Sequence, residues 1–124
     1  MPVTALTRLD AERADAASLL ERHSAHVIYK HSPYCSLSFI AEQQVRRYAD
    51  VEASLPVTLV DVIGQRAMSN AIEAATGVRH ESPQVFVIVR GTAVWHSSHS
   101  GVTADRVTRA FRDAGASVTP APAR

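Results

Sequence analysis

His31-Ser32-Pro33-Tyr34-Cys35-Ser36-Leu37-Ser38 holds the single cysteine of a 124-residue chain, and its flanks decide how that cysteine is presented. Before it runs His26-Val27-Ile28-Tyr29, a β-branched and aromatic stretch that reads as a strand. After it runs Phe39-Ile40-Ala41-Glu42-Gln43-Gln44-Val45, which reads as a helix. A cysteine at a strand-to-helix turn lies beside the unpaired N–H groups of a helix start. Those groups and the helix dipole stabilise a thiolate and lower the thiol pKa. Lys30 and His31 are expected to add positive charge nearby. The opposing reading is a small buried hydrophobe, and the local sequence leaves both open.

Outward from this turn the chain divides into further elements. Residues 10–23 read as a helix capped by Asp10, with Ala16, Leu19, Leu20 and His23 on one apolar side. A strand follows at 26–30, then a helix at about 35–53 with Phe39, Ile40 and Val45 facing inward. Pro56 opens a strand at 57–62, whose near-continuous apolar character suits a buried parallel strand, and Gly64 breaks it. A helix at 66–76 is stopped by Gly77. The loop 78–83 leads into a strand at 84–89, a hairpin turn at Arg90-Gly91, and a strand from 93 to 96 or beyond. Thr103, with Asp105 just after it, starts a last helix ending near Gly115.

The order is α-β-α-β-α-β-β-α. It predicts an α/β domain over 1–119 with a mixed four-stranded sheet, in the strand order 57–62, 26–30, 84–89, 93–96, and helices on both faces. The Pro/Ala-rich tail 120–124 is expected to be disordered.

Bulk properties narrow the function. Hydrophobic residues make up 46% and charged residues 20%, as in an ordinary globular domain. A formal net charge of +1, interleaved signs and few aromatics argue against a nucleic-acid partner. No apolar run approaches the ~20 residues that span a bilayer, so no membrane partner is expected. A lone cysteine cannot form an internal disulfide, and cytoplasm is the expected location.

Cysteine at the first strand-to-helix turn and Pro83 just before the hairpin make this arrangement similar to the thioredoxin fold. Three segments sharpen the likeness: 31–38, then Thr76-Gly77-Val78-Arg79-His80-Glu81-Ser82-Pro83-Gln84-Val85-Phe86, then Val94-Trp95-His96-Ser97-Ser98-His99. Together they resemble the monothiol bacilliredoxin family, small bacterial proteins tied to the low-molecular-weight thiol bacillithiol. The likeness spans roughly Val27 to Phe111. It implies that Cys35 is the active cysteine and that Ser38 stands where dithiol thioredoxins place a second one. It also implies that Pro83 is cis and faces the cysteine. Tyr34-Cys35-Ser36-Leu37-Ser38 departs from the family's Thr-Cys-Pro-Ile-Ser at the threonine and the proline. Tyr29 stands where thioredoxin has a buried acid.

The implied chemistry is thiol–disulfide exchange. Cys35 takes the cap from an S-thiolated client protein, and Ser38, unable to resolve the mixed disulfide, donates a hydrogen bond to the sulfur instead. A second molecule of low-molecular-weight thiol or a reductase then frees Cys35. That thiol is a co-substrate, and no bound cofactor is expected. Pro33, Tyr34, Ser82 and Pro83 are expected to line the substrate groove, with Ser82 offering backbone groups to an extended disulfide. Lys30, Arg66 and Arg79 are candidates to grip carboxylates of the cap. His96 and His99 are three apart on a strand running into a loop, where that spacing does not bring ligands together, so no metal is expected, and Trp95 reads as sheet-face core. The competing reading is a non-enzymatic thioredoxin-like binding or stress-response module whose cysteine is merely capped under oxidation.

Overall fold

In the computed structural model, which describes residues 6–8, 15–51 and 56–118, the central strand β2 (Ala25–His31) feeds two separate apolar layers. Side chains alternate across a strand, and here both faces are covered. Val27 and Tyr29 enter one core, with Ala41, Val45, Tyr48 and Ala49 of α2 (Ser36–Val51) and Val107 and Ala110 of α4 (Ala104–Val118). Ile28 enters the other, with Leu19 and Leu20 of α1 (Ala16–Leu20) and Met68 and Ile72 of α3 (Arg66–Thr76).

The sheet has five strands in the order β1-β3-β2-β4-β5: β1 (Leu6–Arg8), β3 (Val57–Asp61), β4 (Gln84–Val89) and β5 (Thr92–Ser98) around β2. The four expected strands stand in the expected order. β3 runs parallel to β2, β4 antiparallel to β2, and β5 antiparallel to β4. The fifth strand, β1, pairs parallel with the outer edge of β3. Three residues are too short to carry a period-2 signal, and only the exposed edge of β3 recruits them.

Some sequence expectations need correction. Asp15 caps α1, its side chain accepting from the Ser18 N–H at 2.7 Å; the expected cap, Asp10, lies outside the described residues. His23 lies beyond this short helix and is exposed. Phe39 and Ile40, expected inward, are 62% and 59% exposed. The inward stripe of α2 is Ser38, Ala41, Val45, Tyr48 and Ala49, at helical spacing but weaker in hydrophobicity. Tyr48 stacks on Phe111 of α4 with ring centroids 6.1 Å apart. The Gln44 side chain accepts the Ala104 N–H at 3.0 Å, so α2 caps the start of α4. The last helix continues to Val118, past the expected stop at Gly115. The tail 120–124 lies outside the described residues.

Turn chemistry follows the sequence closely. Gly77 ends α3 with a left-handed φ of 74°, which glycine adopts without a Cβ clash. Arg90 and Gly91, at φ 52° and 79°, make a two-residue turn with both central residues left-handed, the type that matches strand twist in a hairpin.

Candidate active site

β2 ends at His31, and the chain turns through Ser32, Pro33 and Tyr34 to reach Cys35 immediately before α2. The Cys35 N–H donates to the Ser32 carbonyl at 3.3 Å. The Cys35 carbonyl accepts from the N–H groups of Ser38 and Phe39 at 3.0 and 3.3 Å, so Cys35 occupies the N-cap position. The fully buried Ser38 side chain locks the turn, its Oγ accepting the Ser32 N–H at 3.2 Å. Its hydroxyl proton is then available to the sulfur.

Cys35 is half-buried. Its thiol is held below the ordinary value of 9.0, first by the Ser38 backbone N–H and then by the Leu37 N–H and the Ser38 hydroxyl, against a smaller opposing effect of desolvation than the first of these. These are helix-start donors, as the turn predicts. Lys30 and His31, the expected sources of charge, are engaged elsewhere. Lys30 points into the opposite layer of the sheet, where Nζ donates to the Ser69 carbonyl at 3.0 Å. His31 contacts Tyr29, and its Nε2 stands 3.9 Å from Glu42 Oε1. Strand alternation explains the correction for Lys30: once Tyr29 faces α2, its neighbour must face α3.

Beneath the turn, the buried Tyr29 hydroxyl donates to the Ser38 carbonyl at 2.9 Å and meets His31 Nδ1 at 3.1 Å. A phenol has one proton, and it is directed at Ser38. His31 Nδ1 must therefore carry the proton of that second bond. Burial above all, with the nearby Glu42 charge, holds the Tyr29 phenol far above its usual range. Tyr29 is thus a neutral hydrogen-bond donor beneath the cysteine turn.

The segment before β4 reaches the same end of the sheet as the Cys35 turn. The Ser82–Pro83 bond is cis, as the resemblance implied. Gln84 pairs with Lys30 across β4 and β2, which sets Pro83 at the end of the sheet where His31 leads into the Cys35 turn. Gln84 is buried and uses both ends of its amide on this loop. Nε2 donates to the Arg79 carbonyl at 3.0 Å, and Oε1 accepts the Glu81 N–H at 3.4 Å. The far side of the loop is held by His99, whose N–H donates to the Pro83 carbonyl at 2.9 Å and whose Nδ1 lies 3.2 Å from Glu81 Oε1.

Of the residues expected to line the groove, Pro33 and Tyr34 are exposed on the Cys35 turn, Tyr34 at 84%. Ser82 is half-buried and Pro83 buried. Arg66 and Arg79 are exposed, at the start of α3 and in the loop after it. Trp95 is partly buried against the α2/α4 core, and His96 lies against the Phe86 ring. Among the described residues no three His, Cys, Asp or Glu side chains gather as metal ligands, and no helix is long and apolar enough to cross a membrane. Sequence reading missed the supporting roles of Gln84, His99 and the Tyr29 hydroxyl. The signal was present: a glutamine inside an otherwise apolar strand has to be satisfied by a nearby backbone.

A sequence profile described as monothiol bacilliredoxin BrxC matches residues 9–107. The chain is a member of the monothiol bacilliredoxin family. Among solved structures, this bacilliredoxin is similar to a candidate oxidoreductase with a thioredoxin fold, at 26% identity and TM-score 0.77, covering 86% of this chain and 94% of the other. It also superposes on mitochondrial thioredoxin 3 from Saccharomyces cerevisiae in its oxidized form, at 12% identity and TM-score 0.66, covering 88% and 95% of the two chains. Thioredoxin f2 of Chlamydomonas reinhardtii matches at 11% identity and TM-score 0.65, with coverage of 88% and 95%. The two thioredoxins establish the fold. Family membership and the first neighbour support a thiol-redox role for this bacilliredoxin.

Proposed function

We propose that the protein removes bacillithiol-type caps from client cysteines as a one-thiol oxidoreductase. The observation that carries this reading is a half-buried Cys35 whose thiolate is stabilised by the α2 start, with Ser38, not a second thiol, three residues on. The Cys35 thiolate attacks the cap-side sulfur of a client mixed disulfide. The client leaves as a thiolate and the cap becomes disulfide-bonded to Cys35. A second low-molecular-weight thiol, deprotonated, attacks that cap, leaving a symmetric small-molecule disulfide and regenerating the Cys35 thiolate. No bound cofactor takes part, and the partners are capped client proteins and the free thiol, in the reducing cytoplasm. Pro33 and Tyr34 on one side and Ser82 and Pro83 on the other flank the approach of the client.

The test uses a peptide capped with bacillithiol and follows intact mass. Wild type is expected to acquire the cap on Cys35 and keep it until free thiol is added, whereas Ser38→Cys sheds it through an internal disulfide. Cys35→Ser should lose all de-capping while retaining its circular dichroism spectrum. De-capping by Cys35→Ser, or a cap that wild type sheds unaided, overturns the reading. A measured Cys35 pKa at or above the ordinary thiol value would favour passive capping instead.

A further inference from the structure

Lys30 is fully buried, yet it is not needed by the exchange chemistry on the other face of the sheet. Its Nζ donates to the Ser69 carbonyl at 3.0 Å, meets His80 Nδ1 at 3.1 Å, and stands 5.8 Å from the centre of the Phe86 ring. An ammonium has only donors, so His80 Nδ1 must present its lone pair and the ring proton must sit on Nε2. His80 belongs to the segment that runs into Ser82 and Pro83. Its N–H donates to Glu73 Oε2 at 2.9 Å, and Nδ1 also lies 3.2 Å from Ser69 Oγ. Lys30 and Gln84 are register partners on adjacent strands. One grips the His80 ring and the other the backbone at Arg79 and Glu81. Two buried side chains thus anchor one loop from below.

We propose that Lys30 and His80 are a positioning pair that holds the segment 79–83 in place for substrate, and that protonating His80 releases it. This inference rests on the exchange reading above. His80 faces Lys30 from β2, Glu73 and Arg66 from α3, and Glu81 on its own loop. Desolvation first, and then the Lys30 charge, depress its pKa below the ordinary 6.5, so it is neutral near neutrality and accepts from Lys30. Burial pushes Lys30 down to about 8, with Glu73 opposing, so the ammonium is still mostly charged there. Protonated His80 would present a donor to a donor, cation against cation, in a desolvated site. The acceptor bond is lost as pH falls below 6.5 through the depressed value. Neither residue touches Cys35, so the thiolate itself is not affected.

The experiment measures KM and kcat for the bacillithiol-capped peptide between about pH 5.5 and 7.5, together with the iodoacetamide alkylation rate of Cys35. Wild type, Lys30→Met and His80→Asn are compared; asparagine keeps an acceptor near the Nδ1 position but does not titrate. Alkylation rates should match in all three proteins at each pH. Wild-type KM should rise in acid. Lys30→Met should show a KM about tenfold higher already at neutral pH, the loss of roughly one charge-assisted hydrogen bond. His80→Asn should keep the low KM and lose the acid rise. The inference is overturned if His80→Asn retains that rise, or if a folded Lys30→Met has the wild-type KM. Should Lys30→Met not fold, the His80→Asn profile decides alone. If wild type does not de-cap at all, the exchange reading has failed. The pair is then judged by amide exchange at Glu81, whose protection factor, the intrinsic rate divided by the observed rate, should fall in acid in wild type and not in His80→Asn; equal behaviour overturns it.

Discussion

The two faces of β2 solve the burial of polar groups in opposite ways, one residue apart. Tyr29 faces α2 and offers a neutral hydroxyl to the Ser38 carbonyl under the cysteine turn. Lys30 faces α3 and carries a charge into an equally buried place, where the Ser69 carbonyl and His80 receive it. The difference follows from what each face must hold. Under Cys35, a fixed carboxylate would oppose the thiolate, and the stabilisation comes instead from short-range N–H and O–H donors of the helix start. On the far face there is no anion to form, and a buried cation can hold a loop through a histidine lone pair. A charge that tuned the thiol from sequence proximity alone would have required Lys30 to point the other way.

The face under the cysteine gives the largest test of this contrast. Tyr29→Phe removes the donor to Ser38 and the partner of His31 while keeping the ring. Leaving the Ser38 carbonyl buried without that donor is expected to cost about 1–3 kcal/mol in urea unfolding. A loss near zero would mean that the hydroxyl does not tie β2 to the cysteine turn.

The opposite face should respond to acid. His26 lies on the same side of β2 as Lys30, fully buried, with Nε2 bonded to the Leu20 carbonyl at 3.1 Å and Nδ1 without a hydrogen-bond partner. Desolvation depresses its pKa below 6.5. In that window the unfolded chain binds the proton more readily than the folded one. The stability present above 6.5 is therefore lost as pH falls through the depressed folded value. The urea midpoint should drop on acidification from neutral, and His26→Gln, which can keep the bond to Leu20, should shrink the drop. An unchanged slope in that variant would assign the acid sensitivity to other groups such as His80.

The smallest effect is expected outside both faces. Phe39→Ser and Ile40→Ser, on the exposed side of α2, should change stability by no more than about 0.5 kcal/mol. Inward positions would cost about 3–5 kcal/mol on truncation, so the same melts decide which side of the helix is core.

Much of this was legible in the chain. The strand alternation, Gly77, the Arg90-Gly91 turn and the cysteine at a helix start are local features, and local sterics and hydrogen bonding fix them wherever they occur. The thiolate-stabilising donors follow from the same local geometry. What the sequence did not order was the choice among residues of equal promise. Phe39 and Ile40 are large apolar residues of the first turns of α2, yet Ser38 and Ala41 take the inward positions because α4 and the Tyr29 hydroxyl approach there. β1 exists only because β3 leaves an edge to pair with. Lys30 stands five residues before Cys35 but serves a loop fifty residues later, since the pleat sends it to the other layer and antiparallel pairing with Gln84 brings that loop to it. Composition and short-range pattern determined the four longer strands, the helices and which side chain is the nucleophile candidate. Only the packing of the two layers decided which polar groups share a desolvated space, because that depends on contacts between residues the chain keeps far apart.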